Sequence, residues 1–495
     1  MIVMKKAAKL EPKIHPPEVV IDVCKTLIER GFEAYLVGGC VRDMMLDREP
    51  KDWDVTTNAR PEQIQEIFAD TVYENSFGTV GIKTESEDSR VKVIEVTTYR
   101  IEGKYTDKRH PDEVKFATNI EDDLSRRDFT VNAMALGMDG AIIDPYGGEL
   151  DVKEKTIRTV GDATARFKED ALRLMRAVRF SVELDFEIEF ATRRAIVACA
   201  RELEMIAKER VRDELVKILM TPRAAKGIIM LEELGLLEFV LPELREGIGV
   251  TQNKHHIYSC FEHDVRALDY AAKQNYSLEV RVASLLHDVG KPRSKKGEGE
   301  NSTFYQHEHI GARMAVKMLD RLQFSREFVE YVAHLVKRHM FFYDIGTVTP
   351  AGVRRFIVRV GPENIDDLLK VREADRIGSG VEKAVSYRLR HFLFMIEKVK
   401  HDPLSPKMLK LNGDELMALF DIPPSPRIGW ILNSLLEEVL DDPKKNIKEK
   451  LTKRAEALNK LSDAELQKLM AQARKKKEEL ELEAEEEMKK EFRVQ

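Results

Sequence analysis

Cysteine is scarce in this 495-residue sequence, and the four cysteines are far apart, with no C-x-x-C pair among them. That spacing argues against a zinc ribbon or a disulfide framework and favours a reducing compartment. No apolar run approaches the roughly 18 residues that a membrane-spanning helix needs, and the first residues form no apolar stretch of signal-peptide length. We therefore expect a cytoplasmic protein without a membrane partner.

Charge of either sign is abundant but nearly balanced, with 81 basic and 87 acidic residues and a net charge of −6. Such a balance gives no general affinity for a polyanion, so local basic patches must decide any RNA binding. The length predicts several domains, and no internal repeat is visible. Strand signals are confined to the first 156 residues and long helical periodicities follow. The predicted fold is α+β, with a small mixed head before an all-helical remainder.

Residues 35–54, Y-L-V-G-G-C-V-R-D-M-M-L-D-R-E-P-K-D-W-D, organise the head. A buried strand should end at Val37, where Gly38 and Gly39 interrupt it before a short helix. We expect both glycines to leave backbone N–H groups bare near the helix start, where a phosphate is favourable.

A second strand should run through Asp52-Trp53-Asp54, which places both carboxylates on one face. Like charges this close repel unless a cation lies between them. Mg²⁺ suits such oxygen ligands and completes its coordination with water and phosphate oxygens. A phosphate cradle beside two such carboxylates is the arrangement of a nucleotidyl transferase. A surface turn is the alternative for the acidic pair alone.

Two further clusters fit the same chemistry. Glu95, in a predicted strand at residues 91–97, is the candidate third carboxylate, although it could be an ordinary solvent-facing residue. Arg127 could form a fork onto phosphate oxygens, and Asp128 could accept a hydrogen bond from a ribose hydroxyl. The alternative for Arg127 and Asp128 is a simple helix cap.

A polar edge is predicted on the helix at residues 171–180, because residues three apart are neighbours on a helix. It contains Asp170, Arg173, Arg176 and Arg179, and an intrahelical ion-pair ladder would explain it without function. A carboxylate only accepts and a guanidinium only donates, so Asp170 with Arg173 complements the Watson–Crick edges of cytosine and adenine. Guanine and uracil present the reverse order and would be rejected.

The motifs G-G-C-V-R-D with D-W-D, R-R-D-F-T-V-N-A, D-P-Y-G-G, E-D-A-L-R-L-M-R-A-V-R-F and E-R-V-R-D-E-L occur in this order between about residues 35 and 219. They resemble those of bacterial class II tRNA nucleotidyltransferases, the CCA-adding enzymes. The resemblance implies a polymerase-β-like head with a helical neck, body and tail, and a reaction of CTP and ATP with tRNA. It implies catalysis with Mg²⁺ at Asp52 and Asp54, for which Glu95 remains the candidate third acid. The implied nucleotide-binding residues are Gly38, Gly39, Arg42, Arg127, Asp128, Asp170, Arg173, Arg176 and Arg179.

Residues 100–111 resemble the family's flexible loop, which is needed for the final A. This loop favours CCA or A addition over CC addition alone. An A-adding enzyme that works with a separate CC-adding partner is therefore the nearest alternative. Bacterial poly(A) polymerases share the head, but their basic stretch after the catalytic aspartates is not found here.

A second set of metal ligands is predicted in the helical part. The adjacent pair His287-Asp288 lies in an apolar helical segment, and burying both side chains demands a partner such as a metal. Any single histidine here could instead be structural. The ordered set resembles the HD-superfamily metal-dependent phosphohydrolases. That resemblance implies one metal at His263, His287, Asp288 and Asp375, and a second at His307 and His339. Such sites accept several divalent transition metals.

The predicted domains are a nucleotidyltransferase head at 1–156, a neck with the base-reading helix at 157–230, an HD-type metal-binding domain at 231–400 and a tRNA-binding tail at 401–495 that ends in a charged helix. A phosphohydrolase whose head only binds RNA is the rival from another class of protein. The intact Asp52-x-Asp54 pair argues against it.

Overall fold

The computed structural model describes residues 14–73, 78–102, 114–253, 257–341, 343, 348–381, 383–399 and 406–469. Most of the predicted loop at 100–111 and the glutamate-rich end of the chain therefore lie outside the described residues. The chain forms two compact units: residues up to Arg245 together with Asp320–Phe324, and Glu246–Leu319 together with the residues from Ser325 onward. The predicted α+β class is confirmed.

The first unit contains all the named strands. They are β1 Ala34–Val37, β2 Asp54–Thr57, β3 Thr71–Tyr73, β4 Thr79–Lys83, β5 Val93–Thr98, β6 Arg100–Glu102, β7 Val114–Phe116, β8 Ala135–Leu136, β9 Ile142–Ile143, β10 Thr156–Ile157 and β11 Glu187–Ile188. Seven of them form one sheet in the order β3-β4-β5-β2-β1-β8-β9. Strand β1 pairs antiparallel with β2, and β2 pairs parallel with β5.

The helices of the first unit flank and follow this sheet. They are α1 Glu18–Glu29, α2 Gly39–Met45, α3 Pro61–Ile67, α4 Ile120–Ser125, α5 Gly148–Lys153, α6 Ala163–Glu169, α7 Leu172–Leu184, α8 Phe190–Cys199, α9 Lys208–Leu219, α10 Ala224–Glu233, α11 Leu237–Val240 and α12 Pro242–Arg245. Helix α1 is amphipathic and buries Val20, Val23, Cys24 and Leu27. Helix α7 is buried along most of its length and packs against α9 and α10.

The second unit is helical. Its helices are α13 Cys260–Lys273, α14 Leu278–Leu286, α15 Lys291–Ser294, α16 His307–Arg321, α17 Arg326–Arg338, α18 Pro350–Val360, α19 Ile365–Gly378, α20 Tyr387–Val399, α21 Gly413–Phe420, α22 Pro426–Asp441 and α23 Lys448–Asn459. Short 3₁₀ helices occupy Thr130–Asn132 and Ala200–Met205 in the first unit, and Gly299–Asn301, Pro362–Asn364, Pro406–Met408 and Pro443–Lys445 in the second. Helix α13 packs against α14 and α19, and α14 also packs against α17. Among the helices described, none combines the length and apolar character that a bilayer crossing requires.

Candidate active site and metal centre

A cavity of about 950 Å³ in the first unit brings most of the predicted site residues together. Its lining includes Gly39, Arg42, Asp52, Asp54, Arg127, Asp128, Asp170, Arg173, Arg176 and Arg179. Gly38 and Glu95 are not among the residues that line it. Five arginines and four aspartates of that set meet in one cavity, which suits an anionic ligand held beside a cation.

The two predicted metal-binding aspartates both reach the cavity, but they do not share a strand. Strand β2 begins at Asp54, and Asp52 lies in the bend before it, so the expectation of alternation along one strand is wrong for Asp52. Trp53, which lies between them, is buried, whereas Asp52 is exposed and Asp54 is half-buried. Side-chain burial of Trp53, rather than strand pleating, leaves both acids at the cavity.

Glu95 stands beside Asp54, because the parallel register of β2 and β5 pairs these two residues. Burial, together with the charges of Asp52 and Glu95, raises the pKa of Asp54 to about 7, and the nearby Arg127 opposes this rise only in part. Three acids gathered this closely need a counter-charge to ionise together. The donor set therefore fits a divalent cation.

The two glycines serve different purposes. The Gly38 N–H donates to the Met134 carbonyl oxygen at 3.2 Å, so the expectation that both glycines leave bare amides is wrong for Gly38. Gly38 has a φ of +81°, and a Cβ added there would lie 2.7 Å from a guanidinium nitrogen of Arg127. It is thus the missing side chain, rather than the amide, that makes room for Arg127. Gly39 begins α2 and lines the cavity.

Arg42 lines the cavity, and hydrogen bonds from its guanidinium group fix its position. Its Nε and Nη2 donate to Asp43 Oδ1 at 3.0 and 2.9 Å, and its Nη1 donates to Asn132 Oδ1 at 2.6 Å. Sequence reasoning did not single out Asp43 or Asn132, although both lie inside the motifs G-G-C-V-R-D and R-R-D-F-T-V-N-A. Arg127 makes longer contacts, at 3.5 Å, with Asp123 and with the Asn132 carbonyl oxygen.

Asp128 pairs with Arg176 of helix α7. The Arg176 Nη2 lies 2.6 Å from Asp128 Oδ2, and the other carboxylate oxygen accepts from the Phe129 N–H at 2.8 Å. Burial opposes ionisation, but the charges of Arg176 and Arg173 outweigh it and lower the pKa of Asp128 to about 2. Asp128 is therefore an ionised acceptor, which is compatible with its predicted contact to a ribose hydroxyl.

The predicted base-reading pair is close to α7, but only Arg173 is on the helix. Asp170 lies between α6 and α7 with extended backbone (φ −138°, ψ 104°), so its placement on the helical edge is wrong. Its Oδ1 accepts from the Leu172 N–H at 2.9 Å, since aspartate competes for free amides at helix starts. Arg210 of α9, a residue that sequence reasoning missed, holds the Asp170 carboxylate at 2.8 Å.

The arginines of α7 do not form an intrahelical ion-pair ladder. Arg173 pairs with Glu169 of α6 at 2.6 Å, and the Arg179 Nε lies 3.2 Å from Glu214 Oε2 of α9. Each partner comes from another element, so α7 is fixed from several sides while its arginines line the cavity. The functional interpretation of this edge is thereby favoured over a ladder.

A second cluster of titratable side chains lies buried in the other unit. The Nε2 atoms of His263 and His287 are 2.9 Å apart. Asp288 Oδ2 lies 3.2 Å and Asp375 Oδ1 3.3 Å from His263 Nε2. Burial disfavours the protonated imidazole, but the neighbouring Asp288 reverses this effect and raises the pKa of His287 well above its usual value. All four side chains converge on one point, as the resemblance implied.

Asp288 also faces the second predicted pair. Its Oδ1 lies 3.2 Å from His307 Nε2 and 3.6 Å from His339 Nε2. The two carboxylate oxygens of Asp288 therefore point at two histidine pairs. Imidazole nitrogens and carboxylates are ligands for divalent transition metals, so the donor set fits a metal centre.

Two neighbours of this centre were not anticipated. Asp264 Oδ1 lies 3.5 Å from His287 Nδ1. The other ring nitrogen of His287, Nε2, is the one that faces His263 and Asp288. Burial raises the pKa of Asp264 to about 7. Lys291 is buried, and its Nζ lies 2.5 Å from Asp288 Oδ2. Neither stands out in sequence, because only the tertiary fold brings them to the cluster.

The head cavity, with acids beside an arginine-rich helix edge, has the arrangement of a nucleotidyltransferase. Family models match three successive stretches: "Poly A polymerase head domain" over residues 34–158, "Probable RNA and SrmB- binding site of polymerase A" over 185–248, and "HD domain" over 260–379.

Individual proteins show the same relationship. The A-adding tRNA nucleotidyltransferase of Deinococcus radiodurans is 40% identical over 341 residues, which are 66% of this chain and 76% of the relative. A CCA-adding enzyme of Lactococcus lactis subsp. lactis is 32% identical over 429 residues, which are 86% of this chain and 93% of the relative. The Bacillus stearothermophilus CCA-adding enzyme, solved in complex with CTP, superimposes with a TM-score of 0.66 at 27% identity, covering 90% of this chain and all of that structure. The chain belongs to the tRNA nucleotidyltransferase family, the family of the CCA-adding enzymes, and it is an enzyme.

Proposed function

We propose that this protein adds C, C and A to the 3′ end of tRNA, without a nucleic-acid template, from CTP and ATP with Mg²⁺. The observation that carries the proposal is the single cavity that joins Asp52 and Asp54 to the pair Asp170 and Arg173. Nucleotide transfer needs metal-binding acids, and template independence needs a protein edge that reads the base. The four side chains that we assign to these two roles line one cavity.

Asp52 and Asp54, with Glu95 beside them, would hold the metal. Bound Mg²⁺ supplies charge that favours deprotonation of the attacking 3′-hydroxyl and stabilises the leaving pyrophosphate. The positive charges of Arg42 and Arg127 bind the triphosphate. Asp128 accepts from the ribose, and because its pKa is low it stays ionised across the working pH range.

Base selection follows from the donor and acceptor order of Asp170 and Arg173. Arg210 fixes the Asp170 carboxylate, and Glu169 fixes the Arg173 guanidinium, so neither side chain has to reorganise when a base arrives. Three of the five N–H groups of Arg173 are engaged, by Glu169 and by the Arg126 and Arg166 carbonyls. The remaining donors are available to cytosine or adenine.

The alternative is addition of A alone, after a separate enzyme has added CC. It is supported by the A-adding relative, whereas the CCA-adding relative that is matched over more of its length supports the full reaction. The deciding experiment supplies purified protein with tRNA that lacks all three terminal nucleotides and with CTP only. CCA addition predicts a product two nucleotides longer, and an A-adding enzyme leaves the tRNA unchanged.

A second activity is favoured by the arrangement of Asp288. The His263/His287 pair and the His307/His339 pair face its two oxygens, which suits two divalent metals that share one carboxylate. We infer that this centre hydrolyses phosphoesters, as the HD-type ligand set implies. Metal supplementation followed by phosphate release from a generic phosphomonoester tests the inference, with His287→Ala as the inactive control.

The cellular compartment that we propose is the cytoplasm. All four cysteines are buried and none of them forms a disulfide, which suits a reducing environment. We also retain, as proposals, the head at 1–156, the neck at 157–230, the metal-binding domain at 231–400 and the tRNA-binding tail at 401–495.

A further inference from the structure

Three of the cavity's guanidinium groups surround one aromatic ring. The Cζ of Arg179 stands 4.2 Å from the centroid of Phe180, that of Arg176 stands 5.2 Å away, and that of Arg42 stands 5.4 Å away. Arg176 and Arg179 come from α7, as does Phe180, whereas Arg42 comes from α2. The ring lines the cavity and is only 6% exposed.

Gathering three like charges is unfavourable unless other groups offset the repulsion. Burial, followed by the positive charge of Arg176, lowers the pKa of Arg179. Each guanidinium also has one carboxylate partner: Asp43 for Arg42, Asp128 for Arg176 and Glu214 for Arg179. Asn132 links the first two of these pairs, because it accepts from Arg42 and donates to Asp128. Each acid by itself fixes one arginine.

The face of Phe180 is the one group that all three guanidiniums share. An aromatic face carries partial negative charge and attracts cations that have lost water. The ring offsets the repulsion and leaves the arginines positively charged, whereas a fourth carboxylate would neutralise part of that charge. Phe129 meets Phe180 edge to face, with centroids 5.7 Å apart and planes at 80°, so the ring orientation is fixed.

We propose that Phe180 is a positioning residue for nucleotide binding, which holds the guanidiniums of Arg42, Arg176 and Arg179 together at the spacing that a nucleoside triphosphate requires. The inference rests on the proposed function of this cavity. Phe180 is the last residue of the motif E-D-A-L-R-L-M-R-A-V-R-F. In this role it acts through the three arginines and does not itself have to contact the substrate.

The test separates the ring's electrostatic effect from its packing. Phenylalanine at position 180 is replaced in the full-length protein by 4-fluoro-, 3,5-difluoro- and pentafluorophenylalanine, which progressively weaken the face while nearly preserving shape. Dissociation constants for CTP and ATP are measured by calorimetry without turnover. We expect a graded loss of affinity that reaches about tenfold, with tRNA affinity unchanged.

Phe186 provides the matched control. It is buried, follows α7 and is not among the residues that line the cavity. Phe186→Leu should lower the thermal midpoint about as much as Phe180→Leu, but only Phe180→Leu should raise the KM for CTP and ATP. Nucleotide affinity that does not respond to fluorination, with equal thermal losses in both leucine variants, would show that Phe180 only packs. Failure of the wild-type protein to extend tRNA would instead count against the proposed function, since nucleotide binding is measured separately.

Discussion

Asp54 and Glu95 lie side by side in register on the parallel strands β2 and β5, with Asp52 in the bend just before. Crowding of these acids raises the pKa of Asp54 to about 7. A fold that only needed stability would not gather three carboxylates at one place on the sheet. The arrangement therefore destabilises the metal-free protein and prepares it to bind a cation.

The first prediction follows from the sign of that shift. The Asp54 pKa is raised on folding from an ordinary value of 3.8, so the folded state binds the extra proton between about pH 4 and 7. Stability therefore falls as pH rises through this window, and the full cost is present above pH 7. At pH 8 with a chelator, Asp54→Asn should stabilise the protein by up to about 4 kcal/mol, while nucleotide incorporation is abolished.

Thermal unfolding at pH 8 and pH 5 checks this prediction. The gain in midpoint should shrink at the lower pH, because wild-type Asp54 is then protonated. Asp22→Asn, on the exposed face of α1, is the control and should change neither stability nor incorporation. An Asp54→Asn variant that still extends tRNA would remove Asp54 from the catalytic set.

The two glycines of the first turn give a second prediction. Gly38→Ala forces a Cβ to 2.7 Å from Arg127 at a positive φ, whereas the nearest atom to a Cβ at Gly39 is 3.7 Å away. Gly38→Ala should therefore destabilise the protein by about 1–3 kcal/mol and raise the KM for nucleotides, because Arg127 must move. Denaturant unfolding and steady-state kinetics measure both effects. Gly39→Ala is the paired control, and equal losses in the two variants would contradict the steric role of Gly38.

Sequence reasoning predicted many of the residues that line the head cavity, because their signals are local. The G-G break after an apolar run, the D-W-D pair and the arginines at helical spacing each predict an element together with a chemical group. The α+β class follows from the same evidence, since strand-type segments stop near residue 157 while helical periodicity continues.

What sequence reasoning missed depends on contacts between distant segments. Arg210 lies 40 positions from Asp170, and nothing in its own segment indicates that it fixes that carboxylate. The placement of Asp170 on the helix was wrong because α7 begins at Leu172, and the Asp170 carboxylate instead accepts a hydrogen bond from the Leu172 N–H. The bare amide at Gly38 was wrong because a neighbouring strand end, at Met134, accepts that hydrogen.

A third prediction concerns base selection. Asp170→Asn combined with Arg173→Gln gives two side chains that both donate and accept, so the order that favours cytosine and adenine is lost. Both substitutions are uncharged, so they avoid the repulsion that an exchange of charges would create with Arg210 and Glu169. The preference for CTP over UTP, measured as a ratio of kcat/KM, should fall by roughly tenfold or more. Lys217→Gln, which also lines the cavity, should leave the ratio unchanged, and an unaltered ratio in the double variant would end the base-reading role.

The last prediction is a metal count in the second unit. Because the two oxygens of Asp288 face different histidine pairs, Asp288→Ala should lose both metals. His263→Ala should lose one metal and His307→Ala the other. The number of metal ions per protein chain is measured by mass spectrometry after incubation with Mn²⁺ and desalting. It should fall from two to zero in Asp288→Ala and to one in each of the two histidine variants.

Nucleotide incorporation should persist in all three variants, because the acids that it needs lie in the first unit. His309→Ala, whose side chain is exposed and lies two residues from His307, is the control. Retention of both metals by Asp288→Ala would show that the carboxylate does not bridge the pairs.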